Sequence, residues 1–147
     1  MSVTDRPSAP QRNWDTGYEL TPQEKRFVAQ HVYVAIAALF VGSLFGPLQA
    51  FEFSGLDLYQ YIEPVIKSYY QGLTLHGVLN ALVWTTFFIV GFTNLTTIKG
   101  LGRPLSHPHI NRIGFWVMVV GLVTTAVPIL ANSATVLYTF YPPLEAN

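Results

Sequence analysis

His76 lies inside a long apolar stretch of the sequence, in the run Gln71-Gly72-Leu73-Thr74-Leu75-His76-Gly77. If that stretch crosses a membrane, an ionisable side chain within it is costly unless a partner compensates it, and such residues are usually functional. Neutral imidazole is a common ligand of metals and of haem iron. The first hypothesis from the sequence is therefore that His76 binds iron.

Small residues surround His76 on the predicted helix. Gly72 precedes it by one turn, and Gly77 and Ala81 follow it, so a planar macrocycle would have clearance for axial ligation. Asn80 lies four residues further on, shares the face of His76, and can hydrogen-bond to a neighbouring helix. The same small residues could instead only allow close helix packing, with His76 bonded to a polar partner. Both interpretations are open from spacing alone.

The elements that would position His76 are membrane helices. Half of the 147 residues are hydrophobic, and charged residues make up 11%, against roughly 25% in an average soluble domain. Three stretches, at about 27–51, 69–98 and 113–140, contain almost no charge. Each has the roughly 20 residues needed to cross a ~30 Å hydrocarbon core, and none shows a polar stripe. The sequence predicts an all-α membrane protein with three transmembrane helices.

Residues 1–21 are predicted to form a cytoplasmic N-terminal arm, followed by a transmembrane bundle segment over 22–147. The run Thr21-Pro22-Gln23-Glu24 is typical of a helix start with a capping box. Of the eight basic residues, all except Lys67 lie before the first apolar stretch or in the second loop. The positive-inside rule then places the amino terminus in the cytoplasm and the carboxyl terminus outside. The arm lacks the features of a cleavable signal peptide.

Composition also excludes several kinds of site. The sequence contains no cysteine, which excludes disulfides, thiolate-bound iron and covalently attached haem within this chain. The formal net charge is zero, so no nucleic-acid partner is expected. His31, near the inner end of the first helix, is predicted to be an interfacial side chain. His107 and His109 are predicted to lie in a solvated loop.

Three runs resemble one protein family. The first is Gln71-Gly72-Leu73-Thr74-Leu75-His76-Gly77-Val78-Leu79-Asn80, which is similar to helix two of subunit I of B-type (ba-type) haem–copper terminal oxidases, in the cytochrome c oxidase subunit I family. Gly42-Ser43-Leu44-Phe45-Gly46-Pro47 resembles the end of that family's first helix, and residues 130–144 resemble the end of its third. The resemblance implies that His76 is one of two axial ligands of a low-spin haem b. It also implies that Gly72 and Asn80 pack in the haem pocket and that Tyr138 lies near it.

The resemblance covers only the first quarter of a twelve-helix bundle. It places the other haem ligand, the high-spin haem and the copper ligands on later helices, so this chain alone would lack the oxygen-reducing centre. The implied partners are membrane lipid, the remaining helices, a copper-containing subunit II, and cytochrome c or quinol as electron donor. The implied activity is oxygen reduction coupled to proton translocation in a prokaryotic plasma membrane. The loop 99–112 contains no Asp or Glu, which favours the B branch over the A-type oxidases.

Two other functions are compatible with the residues. A non-catalytic electron-transfer module would bind haem b between two copies of His76, and a structural membrane subunit would bind no cofactor. Nitric oxide reductases are close relatives that share the bundle and the axial histidine. The sequence leaves open whether the chain is a split subunit, a truncation or a fragment, and which electron donor and haem types are used.

Overall fold

The computed structural model describes residues 17–134, and this part of the chain is helical. Its elements are α1 (Pro22–Phe53), a short 3₁₀ turn (Tyr59–Tyr61), α2 (Tyr69–Gly77), a π-helical segment (Val78–Val83), α3 (Trp84–Leu101) and α4 (Pro108–Leu130). The π-helical segment joins α2 to α3, so residues Tyr69–Leu101 form one helical span. The prediction of one continuous helix over 69–98 did not include this change of helix type.

Three helical spans are long and apolar enough to cross a membrane: Pro22–Phe53, Tyr69–Leu101 and Pro108–Leu130. Large apolar side chains on them are exposed, including Phe40 at 65% and Val120 at 62%. Exposure of this kind is expected where lipid or further helices form the surroundings. The predicted fold class, an all-α protein with three membrane-spanning helices, is confirmed.

The start of α1 is fixed by the capping box that the sequence predicted. The Thr21 amide donates to the Glu24 carboxylate over 2.9 Å, and the Glu24 amide donates to the Thr21 hydroxyl over 3.3 Å. The other Glu24 oxygen accepts from the amide of Leu105 at 3.0 Å. The buried Glu24 side chain therefore joins the start of α1 to the loop between α3 and α4.

A stripe of small residues lets α1 approach its neighbours closely. Ala35, Ala38 and Gly42 are buried and recur at the three- and four-residue spacing of one helix face. This face packs on α2, the π-helical segment and α3. Because membrane helices gain stability from close backbone approach, the stripe explains why α1 lies directly against the span that carries His76.

The third helix ends earlier than predicted. The apolar stretch predicted a helix to about residue 140, whereas α4 ends at Leu130. Asn132 has φ = 59°, a left-handed conformation that ends helices and that Asn tolerates well. The side-chain amide of the buried Gln71 on α2 donates to the carbonyl oxygens of Ile129 at 2.8 Å and Leu130 at 3.2 Å. The helix can therefore end here because its last carbonyl groups are bonded without another turn.

Candidate functional site

His76 lies in the last turn of α2, facing α1. Its Nδ1 atom is 2.8 Å from the carbonyl oxygen of Gly42. Two lone pairs would repel each other at this distance, so Nδ1 carries the hydrogen and donates it. In a neutral imidazole the hydrogen on Nδ1 leaves Nε2 with a free lone pair. His76 is thus held in the tautomer that presents Nε2 as a ligand atom.

Glycines at positions 42 and 46 of α1 make this contact possible. A Cβ atom added to Gly42 would lie 2.6 Å from Oδ1 of Asn80 and 2.9 Å from Cβ of Leu79. A Cβ atom on Gly46 would lie 3.3 Å from Cε1 of His76. The two residues are spaced as in the Gly-x-x-x-Gly motif of membrane helix pairs. The spacing is visible in the sequence, but it does not by itself predict that either glycine contacts His76.

Asn80 lies beside His76 as its four-residue spacing predicted. Its Nδ2 atom is 3.2 Å from Nδ1 of His76, but Nδ1 already donates its hydrogen to Gly42 and cannot accept as well. The Oδ1 atom of Asn80 is buried, and no described group donates a hydrogen bond to it. Asn80 therefore lies against the imidazole without a hydrogen bond to it.

The helix changes type directly after His76 and Gly77. Residues Val78–Val83 are π-helical, and the Trp84 amide continues the pattern by donating to the Leu79 carbonyl oxygen. Each π turn contains an extra residue, which rotates the following side chains around the axis. Such segments are rare and occur frequently at functional sites. Here the π segment changes the angle about the helix axis between His76 and the side chains of α3.

Gly72 does not leave the open surface that the haem-pocket hypothesis required. A Cβ atom on Gly72 would overlap the hydroxyl of Tyr59 and lie 2.9 Å from two ring carbons of that tyrosine. Tyr59 is buried. Its hydroxyl accepts a hydrogen bond from Gln49 on α1. The clearance at Gly72 is occupied by Tyr59, which covers the N-terminal end of α2.

His31 is buried, and its predicted interfacial position was wrong. Its ring lies 4.5 Å from the Phe27 ring, 4.8 Å from the Phe115 ring and 6.0 Å from the Phe87 ring, between centroids. Nδ1 lies 2.9 Å from the Phe27 carbonyl oxygen, while Nε2 is buried without a described partner. Gly91 on α3 provides the space, since a Cβ atom there would lie 2.9 Å from Cβ of His31.

The four histidines do not converge on one metal. Along α1, His31 is eleven residues from Gly42, or roughly 16 Å at ~1.5 Å per residue. His107 and His109 are exposed at the start of α4. Within residues 17–134 there is no group of three His, Cys, Asp or Glu side chains able to hold a metal. Tyr138, which was predicted to lie near the haem pocket, falls outside the described residues.

Comparison with known proteins gives consistent matches along most of the chain. Residues 26–147 match the family model "Cytochrome C and Quinol oxidase polypeptide I". Cytochrome c oxidase subunit 1 of Thermus thermophilus is 44% identical over 134 residues, covering 88% of this chain and 23% of that protein. The Corynebacterium efficiens protein of the same name is 27% identical over 150 residues, covering 93% of this chain and 25% of that protein.

A solved structure agrees with the sequence matches. A heme-copper terminal oxidase dimer determined by cryo-EM superposes with a TM-score of 0.74 at 37% sequence identity. The superposition covers 87% of this chain and 22% of that one. The chain thus spans about a quarter of the length of the relatives it matches.

Proposed function

Because the chain belongs to the cytochrome c and quinol oxidase polypeptide I family, we propose that it forms the N-terminal part of an oxidase subunit I in which His76 supplies one axial ligand of a low-spin haem b. The observation that carries this proposal is the hydrogen bond from Nδ1 of His76 to Gly42. Histidines that ligate metals usually donate their other ring hydrogen to a carbonyl or carboxylate oxygen, which fixes the tautomer and the ring plane. His76 has this arrangement.

The surrounding residues fit the same role. The Gly42 carbonyl oxygen orients the ring, Gly46 admits its edge, and Asn80 packs on its side. Together they hold Nε2 as the free ligand atom on a rigid pair of helices. A haem bound at Nε2 would accept and pass on single electrons. His76 is seven residues beyond Tyr69, which puts it roughly 10 Å from that end of the span, consistent with electrons entering from the outer side.

The oxidase as a whole requires more than this chain. The remaining helices of subunit I would carry the second ligand of the low-spin haem, the high-spin haem and the copper site. A copper-containing subunit II and cytochrome c or quinol would deliver electrons to oxygen reduction coupled to proton translocation. The absence of Asp and Glu from residues 99–112 supports membership of the B branch. We place the complex in a prokaryotic plasma membrane, with the amino terminus of this chain in the cytoplasm. The family match does not favour the electron-transfer module or the structural subunit.

The test is spectroscopic and uses the chain assembled with the rest of its oxidase. His76→Leu removes the nitrogen ligand and keeps an apolar side chain, so the six-coordinate low-spin signal should disappear and the oxidase rate should collapse. His76→Met should retain a low-spin haem at a raised reduction potential, since methionine ligation raises it. His107→Gln, at an exposed position, is the control and should leave the spectrum unchanged. A normal low-spin spectrum in His76→Leu would show that the ligand assignment is wrong.

A further inference from the structure

A cavity of about 500 Å³ opens between the N-terminal turns of α1 and α4, at the end of the spans opposite to Tyr59. Its polar lining includes Gln23, Arg26, Gln30 and Arg112, and its apolar lining includes Phe27 and Trp116. None of these side chains takes part in the His76 site. The function proposed for His76 therefore does not account for the composition of this cavity.

The cavity is lined by two positive charges that no described residue pairs. Arg26 on α1 and Arg112 on α4 both line it, and no described residue forms an ion pair or hydrogen bond with either guanidinium. Glu24 also lines the cavity, but its carboxylate oxygens already accept hydrogen bonds from Thr21, Tyr18 and Leu105. Among the described lining residues, Glu24 is the only carboxylate, and its oxygens are bonded to these other donors and to neither arginine. Guanidinium groups bind phosphate oxygens through paired N–H donors.

Polarity changes with depth in the cavity. Arg112 and Trp116 are four residues apart and lie one above the other on α4. Arg26 and Gln30 have the same relation on α1, with Phe27 beside them. The basic groups lie nearer the helix ends, while Trp116, which is 57% exposed, lies one turn further into the apolar part of α4. Tryptophan is enriched at this level of a bilayer. On α4, a basic group above the apolar ring of Trp116 matches a phosphate headgroup above its acyl chains.

We propose that this cavity binds the headgroup phosphate of an anionic phospholipid from the leaflet facing the loop between α3 and α4. Arg26 and Arg112 hold the phosphate, and the acyl chain lies along Trp116 and the exposed side of α4. Basic pockets between membrane helices bind anionic headgroups in this way. The binding requires no haem and is independent of the function proposed for His76.

Native mass spectrometry of the full chain, released from nanodiscs that contain equal amounts of phosphatidylglycerol and phosphatidylcholine, tests the proposal. The wild-type chain should retain one phosphatidylglycerol at least several-fold more often than one phosphatidylcholine. The Arg26→Gln/Arg112→Gln variant should lose this preference. Arg103→Gln removes a base from the loop between α3 and α4, outside the cavity lining, and it should retain the preference. Circular dichroism verifies that each variant keeps its helices.

Two outcomes would overturn the proposal. Equal retention of the two lipids by the wild-type chain would show that the cavity does not select an anionic headgroup. An unchanged preference in the double variant would place the lipid elsewhere. A further arm adds millimolar inorganic phosphate, which should not displace the lipid because it has no acyl chain. Displacement would identify a site for free anions and would contradict the assignment to a lipid.

Discussion

The imidazole of His76 on α2 donates its Nδ1 hydrogen to the carbonyl oxygen of Gly42 on α1 over 2.8 Å. This bond crosses between two spans, so the orientation of the ring depends on the distance between the helices. That distance depends in turn on glycine at positions 42 and 46. The candidate ligand and the helix packing are therefore one structural unit, and substitutions in α1 should alter a site that lies on α2.

Gly42→Ala should destabilise the packing of α1 on α2. The added methyl group would lie 2.6 Å from Oδ1 of Asn80 and 2.9 Å from Cβ of Leu79, so the helices must separate. Overpacking of this kind typically costs about 1–3 kcal/mol. The measurement is unfolding of the chain in mixed micelles by added SDS, followed by circular dichroism. Gly114→Ala on α4 is the matched control, because nothing lies within 4 Å of its Cβ position. Equal stability of the two variants would contradict the role of Gly42.

Gly72→Ala should displace Tyr59 from the N-terminal end of α2. The methyl group would overlap the tyrosine hydroxyl and crowd its ring, and the bond from Gln49 to that hydroxyl would be lost. A double-mutant cycle with Tyr59→Ala measures the coupling, which should be on the order of 1–3 kcal/mol because the two side chains are in contact. Once Tyr59 is truncated, Gly72→Ala should have little further effect. Additive effects of the two substitutions would show that Tyr59 does not occupy this space.

His31→Phe should leave the chain as stable as the wild type or stabilise it by about 1 kcal/mol. The substitution removes a buried Nε2 atom that has no described partner, and an unsatisfied buried polar group is destabilising. His31→Ala should instead lose about 2–4 kcal/mol, because it leaves a cavity among three aromatic rings. The same SDS titration measures both variants. His109→Ala, at an exposed position, should change stability by less than about 0.5 kcal/mol. Strong destabilisation by His31→Phe would reveal an essential polar role for His31.

Single cysteines test the proposed topology, since the chain contains none of its own. Ser106 and Ser54 are both exposed and lie in different loops. A cysteine at position 106 should react with an impermeant maleimide only after the membrane is opened, because the neighbouring basic residues predict a cytoplasmic position for that loop. A cysteine at position 54 should react in intact cells. The reverse pattern would invert the orientation and the proposed side of electron entry.

The sequence predicted those features that depend on local composition. Apolar stretches predicted the three spans, and Thr21 with Glu24 predicted the capping box. The spacing of His76 and Asn80 predicted their shared face. The burial of His31 was not predicted, because it results from rings on α3 and α4 that are distant in sequence. The position of Tyr59 also depends on tertiary contact, since Gly72 on another element makes room for it.

The end of α4 shows a different source of error. Hydropathy continues beyond Leu130, so apolar length alone predicts a helix to about residue 140. The Asn132 conformation and the bonds from Gln71 end the helix instead. Asn132 is visible in the sequence as a candidate helix terminator, but Gln71 is 58 positions away from Ile129. The π-helical segment at Val78–Val83 likewise has no local sequence signature.

The bond from the Leu105 amide to the Glu24 carboxylate has a consequence for biosynthesis. The two residues are 81 positions apart, so the first span leaves the ribosome long before the second loop exists. Until that loop emerges, the carboxylate lacks one of the donors that it has in the finished fold. The bond between Leu105 and Glu24 can therefore form only after the second span has been inserted and has returned the chain to the side on which it started. Glu24 would thus stabilise the pair formed by the first two spans only after both have been inserted in the correct orientation.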